Sequence, residues 1–231
     1  MSILRLKFII SFLPLLFLAC GSGQSPASVN AQSNKGNSNQ TKEQKPDSVM
    51  IIRQGTVGKI GKFSVGVRNI DSTSARIAIW DSALPQAKRN DYNVSFTVKS
   101  GDSIPVGNNF YRVAKIISEE IQIESEPVKT DGLSLQADSL AIPDGGVLEL
   151  YGYAVEVTSI EAAGGKTSAK VEIYSNDYPK KDLEEKNEIP RLTVASGDEI
   201  SIGEKKHKII AVHAGKGNSR GVVEVSYSAV Q

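Results

Sequence analysis

The sequence predicts an all-β body built from two tandem copies of one small β unit. Three observations predict it. Short runs that alternate apolar and polar residues recur between turn residues. No stretch of the body keeps helical periodicity for three turns. The body also matches itself: Phe96-Thr97-Val98-Lys99-Ser100-Gly101-Asp102-Ser103-Ile104-Pro105-Val106-Gly107 aligns with Leu192-Thr193-Val194-Ala195-Ser196-Gly197-Asp198-Glu199-Ile200-Ser201-Ile202-Gly203.

The repeat extends both ways. Val113, Ala114 and Ile116 meet Ile209, Ile210 and Val212, and Ala75-Arg76-Ile77-Ala78-Ile79-Trp80 meets Ala169-Lys170-Val171-Glu172-Ile173-Tyr174. Pro85 and Pro179 keep the upstream offset, and a short insertion in the second copy accounts for the change downstream. The copies span 49–127 and 133–230, joined by 128–132.

In the first copy, strands are predicted over 62–70 and 74–80. A long loop, 81–93, carries Pro85. A strand over 95–98 follows, then the turn Ser100-Gly101-Asp102, whose glycine and aspartate tolerate turn backbone angles. Residues 104–106 are a short strand, Gly107-Asn108-Asn109 a hairpin turn, and 110–117 the return strand. Ser118-Glu119-Glu120 turns into 121–124. The second copy repeats this with strands over 147–160, 168–174, 192–194, 200–202, 208–213 and 222–227. Its long loop, 175–189, carries Pro179 and a nearly all-charged helical turn at 180–186. Such strands build a small barrel or sandwich. A three-stranded meander around each Gly-Asp turn favours an open SH3- or OB-like barrel. The alternatives are an immunoglobulin-like sandwich and, third, one sheet system shared by both copies.

Ahead of the body stand two segments of different character. Arg5 and Lys7 precede an apolar run, 8–19, that carries Pro14. The run is short for a membrane-spanning helix, which needs roughly 20 apolar residues, and fits the core of an export signal over 1–19. Residues 21–47 are mostly Gly, Ser, Asn, Gln and Lys, with Val29 the one sizeable apolar side chain, the composition of a disordered tether.

Between them lies Cys20, the single cysteine of the chain. Phe17-Leu18-Ala19-Cys20 resembles the lipobox that ends the signal of bacterial lipoproteins. The resemblance implies cleavage before Cys20, a diacylglycerol thioether on its sulfur and, in many bacteria, an acyl chain on the new amino group. One chain holds a protein only marginally and two or three hold it durably. Gly21 stands where an aspartate retains such proteins at the inner membrane of enteric bacteria, so in a two-membrane bacterium the resemblance implies the outer membrane. The first expected partner is therefore the membrane, through the N-terminal lipid.

Charge and chemistry narrow the role. Lys and Arg number 27 against 26 Asp and Glu, for a net charge of +1, without the basic excess of a nucleic-acid binder. A lipidated Cys20 leaves no thiol for disulfides or a metal, and no cofactor motif stands out. His207 and His213, six apart on one strand, would share a face; Tyr111 and Ile117 hold their places in the first copy, so they read as surface or strand-end residues. Gly164-Gly165-Lys166-Thr167 lacks the earlier glycine of a phosphate loop and reads as a hairpin turn. The acids of 176–188 lack calcium-loop spacing. No catalytic order stands out, so the chain reads as a non-enzyme.

What remains is paired. In each copy a strand ends in an aromatic, Trp80 or Tyr174, and feeds a proline-bearing loop. Long loops and aromatic residues favour contact surfaces, so Trp80, Pro85, Tyr174 and Pro179 form the candidate binding surface, with a core-plug role for each aromatic as the alternative. The expected function is a binding or assembly module with a protein or glycan partner in the envelope. The alternatives are an accessory subunit of an envelope complex and an enzyme with an interdomain site. Asp-Ser pairs at 47, 71, 81, 102 and 138 resemble a bacterial O-glycosylation signal, and also suit turns.

Overall fold

The computed structural model describes residues 49–84, 92–130, 133–177, 179–185 and 189–230. The export signal, Cys20, the tether and Pro85 lie outside them. The first copy contains β1 (Val49–Arg53), β2 (Val57–Ile60), β3 (Phe63–Ile70), β4 (Ser74–Asp81), β5 (Asn93–Lys99), β6 (Ser103–Val106), β7 (Asn109–Ile117) and β8 (Glu120–Glu124). The second contains β9 (Ser139–Pro143), β10 (Val147–Leu150), β11 (Tyr153–Ala163), β12 (Lys166–Ser175), helix α1 (Lys180–Glu185), β13 (Arg191–Ala195), β14 (Glu199–Ile202), β15 (Lys205–His213) and β16 (Val222–Ser226). Among the described residues no helix is long and apolar enough to cross a membrane.

The duplication predicted from sequence recurs strand for strand. Each copy forms one antiparallel sheet, β1-β8-β7-β6 or β9-β16-β15-β14. Its other four strands, β2–β5 or β10–β13, pair in chain order. Pairing of β5 with β10 fuses those two halves into one eight-stranded sheet. Even the irregularities repeat: the ladder slips between Val67 and Asn69 as it does between Val157 and Ser159, and between Val113 and Lys115 as between Ile209 and Ala211. The sheets stay open; among the described residues no closed barrel forms. Both copies lie in one compact unit, Gln44–Gln231.

The Ser-Gly-Asp turns explain much of this. Asp102 accepts a hydrogen bond from the Lys99 amide at 2.9 Å, and Asp198 accepts one from the Ala195 amide at 2.7 Å. Ser100 and Ser196 each accept one from the returning strand, at Ile116 and Val212, both at 2.9 Å. Gly101 and Gly197 take φ of 89° and 96°, where an L side chain is strained. The expected meander across these turns does not form. Each turn carries the chain from the eight-stranded sheet into a four-stranded one, and its serine ties the turn to the strand two further on.

Alternation then fixes the core. Val65, Val67, Ile77, Phe96, Val98, Val155 and Val171 project from one face of the large sheet, and join Ile52, Ile104, Val113, Ile123, Ile142, Ile209 and Val225 of the small sheets in a single cluster. A smaller cluster, with Phe110, Leu135 and Val222 at its centre, packs the connector against the second copy.

Two details depart from the sequence reading. The stretch 147–160 is two strands, split at Tyr151-Gly152, where Tyr151 adopts φ of 53°. And β1, β2 and β9 were not anticipated as strands. An insertion in the second copy, the loop between β15 and β16, docks on the first copy. Asn218 O accepts from the Ser103 amide at 3.1 Å, and the Arg220 guanidinium meets Asp102 at 2.8 Å.

Candidate functional site on the outer face of the large sheet

The strand registers place Trp80 and Tyr174 at matching points. Trp80 pairs with Ser64 and Ala78 with Gly66; Tyr174 pairs with Ala154 and Glu172 with Glu156. All eight residues lie on the face of the large sheet turned away from the core, since Val65, Ile77, Val155 and Ile173 alternate with them and are buried in it. Both aromatics end parallel strands, so they stand at the same end of the sheet.

In the second copy this position is filled by the chain itself. The Lys180 ammonium sits 2.7 Å from Glu156 and 2.9 Å from Glu172, and 5.4 Å from the centre of the Tyr174 ring. The Tyr174 hydroxyl donates to Glu156 at 3.0 Å, and Arg191 bonds Glu172 at 2.9 Å. Helix α1 is held against the sheet by these bonds and by buried Leu183. It starts at Pro179, whose carbonyl accepts from the Asp182 and Leu183 amides. Burial favours the neutral form of Lys180, but the two carboxylates hold the ammonium well above its ordinary pKa. Burial would also raise Glu172, yet hydrogen bonds from Lys180 and Arg191 hold its carboxyl below the usual value. Burial and Glu156 push the Tyr174 phenol up to about 12. Tyr174 and Pro179 therefore serve an internal ionic plug.

The first copy leaves the same position open. Gly66 and Ala78 stand where the second copy has Glu156 and Glu172. The indole of Trp80 lies directly over Gly66; a Cβ there would come within 3.0 Å of Trp80 Cη2 and Cζ3. Beside the indole is a hollow of about 380 Å³, walled by Thr56, Val57, Arg68 and Trp80 over Ala78 and Asn93. That volume falls within the about 300–1,000 Å³ of small-molecule sites. Asn93 is buried and donates to Glu149 at 2.9 Å. Trp80 Nε1 is buried and has no hydrogen-bond partner among the described residues.

A second recess lies at the seam between copies. Tyr92 (φ 66°) stacks on Tyr227 at 5.1 Å and meets the edge of Tyr151 at 5.8 Å, while Lys205 lies 3.9 Å from the centre of the Tyr151 ring. Two tyrosines in the left-handed region touching one another mark local strain. The recess that Tyr92 and Tyr227 help line is only about 70 Å³, room for a side chain at most.

The histidines part company. The ladder slip between Ile209 and Ala211 reverses the strand's alternation, so His207 points into the core and His213 to the opposite face. The expectation that they share a face fails for that reason, and His207 is not a surface residue. Its Nδ1 donates to the Ser226 carbonyl at 2.9 Å. His213 bonds buried Glu224 at 2.7 Å, whose other oxygen accepts from the Ser139 hydroxyl and the Gln136 amide. Gly164 and Gly165, with φ of 59° and 77°, make the expected hairpin turn. Of the Asp-Ser pairs, Ser72 is exposed in the β3–β4 turn, Ser103 is buried, and the Ser82 and Ser139 hydroxyls are engaged with Ser64 and Glu224; Ser48 lies outside the described residues.

The packing of Trp80 over Gly66 was missed by sequence reasoning, although the matching of Ala78 with Glu172 was visible. Arg68, the residue at the ladder slip, was missed entirely. Comparison with protein-family models found no match, and neither did comparison with curated proteins or with solved structures.

Proposed function

We propose that this chain is a lipid-anchored envelope protein whose first copy binds an envelope partner through the hollow beside Trp80. The anchor rests on Cys20 at the end of the apolar run and places the body at the outer membrane on the tether of 21–47. One observation carries the binding role. Two copies of one fold present the same outer-face position, and the second closes it with Glu156, Glu172 and Lys180 while the first keeps it open beside an indole. The module acts by binding rather than catalysis, and the second copy stiffens the first through the shared sheet.

Crosslinking in native cells, with partners identified by mass spectrometry, tests the binding. Trp80→Ala is expected to remove the specific partners while leaving the thermal unfolding of the body cooperative. An unchanged set of partners refutes the role of the hollow. Fractionation of Cys20→Ser tests the anchor separately: the variant is expected in the soluble fraction, and sedimentation with membranes overturns the proposed address.

A further inference from the structure

We infer that the ligand of the Trp80 hollow is an acidic sugar residue of a glycan, its ring on the indole and its carboxylate on Arg68. The inference rests on the binding role proposed for that hollow and adds the chemistry of the ligand.

The charges argue it. In the second copy the equivalent position carries two carboxylates and holds a cation, Lys180. In the first, Gly66 and Ala78 remove both carboxylates, and none lines the hollow. The charged side chain in its wall is Arg68, exposed and without an ion-pair partner among the described residues. Arg68 occupies the slip between Val67 and Asn69, and such bulges re-aim a side chain, often beside a binding site. Its guanidinium presents a planar fork that matches a carboxylate with two parallel hydrogen bonds. The site has thus exchanged selectivity for a cation for selectivity for an anion.

The shape argues for a sugar rather than a peptide. The hollow offers one flat aromatic wall beside a guanidinium and the Thr56 hydroxyl, which donates to the Arg53 carbonyl at 2.7 Å and keeps its acceptor side for a ligand, a set suited to a ring with C–H groups on its face and hydroxyls at its rim.

Trp80 is the single tryptophan of the chain and lines the hollow, so its intrinsic fluorescence follows binding there, and Arg68→Gln ties the signal to the hollow rather than to the smaller recess that Trp80 also borders. The body is titrated with trigalacturonate, with its methyl ester, and with a glutamate-rich peptide. A saturable change with trigalacturonate is expected, weakened at least tenfold by esterification and at least tenfold by Arg68→Gln, and weakened further by added salt. Equal binding of the ester, or of trigalacturonate to Arg68→Gln, overturns the assignment of an anion. Tighter binding of the peptide overturns the assignment of a sugar. No response to any of the three overturns the inference while leaving the binding role to the crosslinking of Trp80→Ala, which can succeed or fail independently.

Discussion

The duplication supplies its own control for what holds the two copies together. Asp102 and Asp198 occupy the same turn, and each accepts a backbone amide three residues earlier, at 2.9 and 2.7 Å. Asp198→Ala removes that bond alone, at about 1 kcal/mol, the usual effect of losing a capping carboxylate. Asp102→Ala removes the same bond and also the 2.8 Å bridge to Arg220, whose partners are 25% and 21% exposed. Exposed bridges contribute about 0.2–1 kcal/mol, and breaking a buried one costs about 3–5 kcal/mol. This half-shielded pair should lie between, at about 1.5 kcal/mol. Asp102→Ala is therefore expected to destabilise by about 2.5 kcal/mol. With a urea slope of about 2–3 kcal/mol per M, its midpoint should fall about 0.5 M further than that of Asp198→Ala. Arg220→Ala closes a double-mutant cycle. Its coupling to Asp102 should be about 1–2 kcal/mol and its coupling to Asp198 near zero. Equal midpoints for the two aspartate variants, or no coupling between Asp102 and Arg220, would refute the reasoning that the inserted loop clamps the copies.

Three further outcomes follow from the same geometry. Lys180→Met leaves Glu172, whose side chain is 10% exposed, with Arg191 alone and should cost about 2 kcal/mol at neutral pH; because the folded carboxyl of Glu172 titrates below its unfolded value, its contribution is complete above the ordinary glutamate range and is lost as pH falls through the folded value, so the gap to wild type should narrow in acid, as followed by urea unfolding across pH. In an ultraviolet titration of the phenols the Tyr174→Phe variant should lose a transition near pH 12, and loss of one near 10 instead would contradict the plug. Gly107→Ala, at φ of 62° with a Cβ driven into the Phe63 ring, should cost roughly 2–4 kcal/mol, whereas Gly61→Ala, at φ of 56° in open space, should cost only the backbone strain of about 1 kcal/mol, as thermal or urea unfolding will show.

Only part of the arrangement described above could be read from residues alone. Trp80 and Tyr174 were legible as equivalents because the strands that carry them align residue by residue, and the Ala78–Glu172 difference lay inside that alignment. The Gly66–Glu156 difference was not, because the turn at Tyr151-Gly152 interrupts what looks like one long strand. Tyr151 adopts a backbone angle that its side chain does not advertise. The sharing of roles between the copies was hidden as well, since a lysine in a charged loop gives no sign of which carboxylates it will meet.

The sequence by itself determined the all-β class, the twofold repeat and the Ser-Gly-Asp turns. Each is a local matter: alternation sets which side chains one strand can bury, and a turn's hydrogen bonds are made within a few residues. Tertiary structure alone decided that β5 pairs with β10 to fuse the halves, that a slipped ladder sends His207 and His213 to opposite faces, and that one of two equivalent positions is plugged by Lys180 while the other stays open beside Trp80. Those outcomes depend on which distant backbone edges and charges meet, and that is fixed only once the whole core has closed around them.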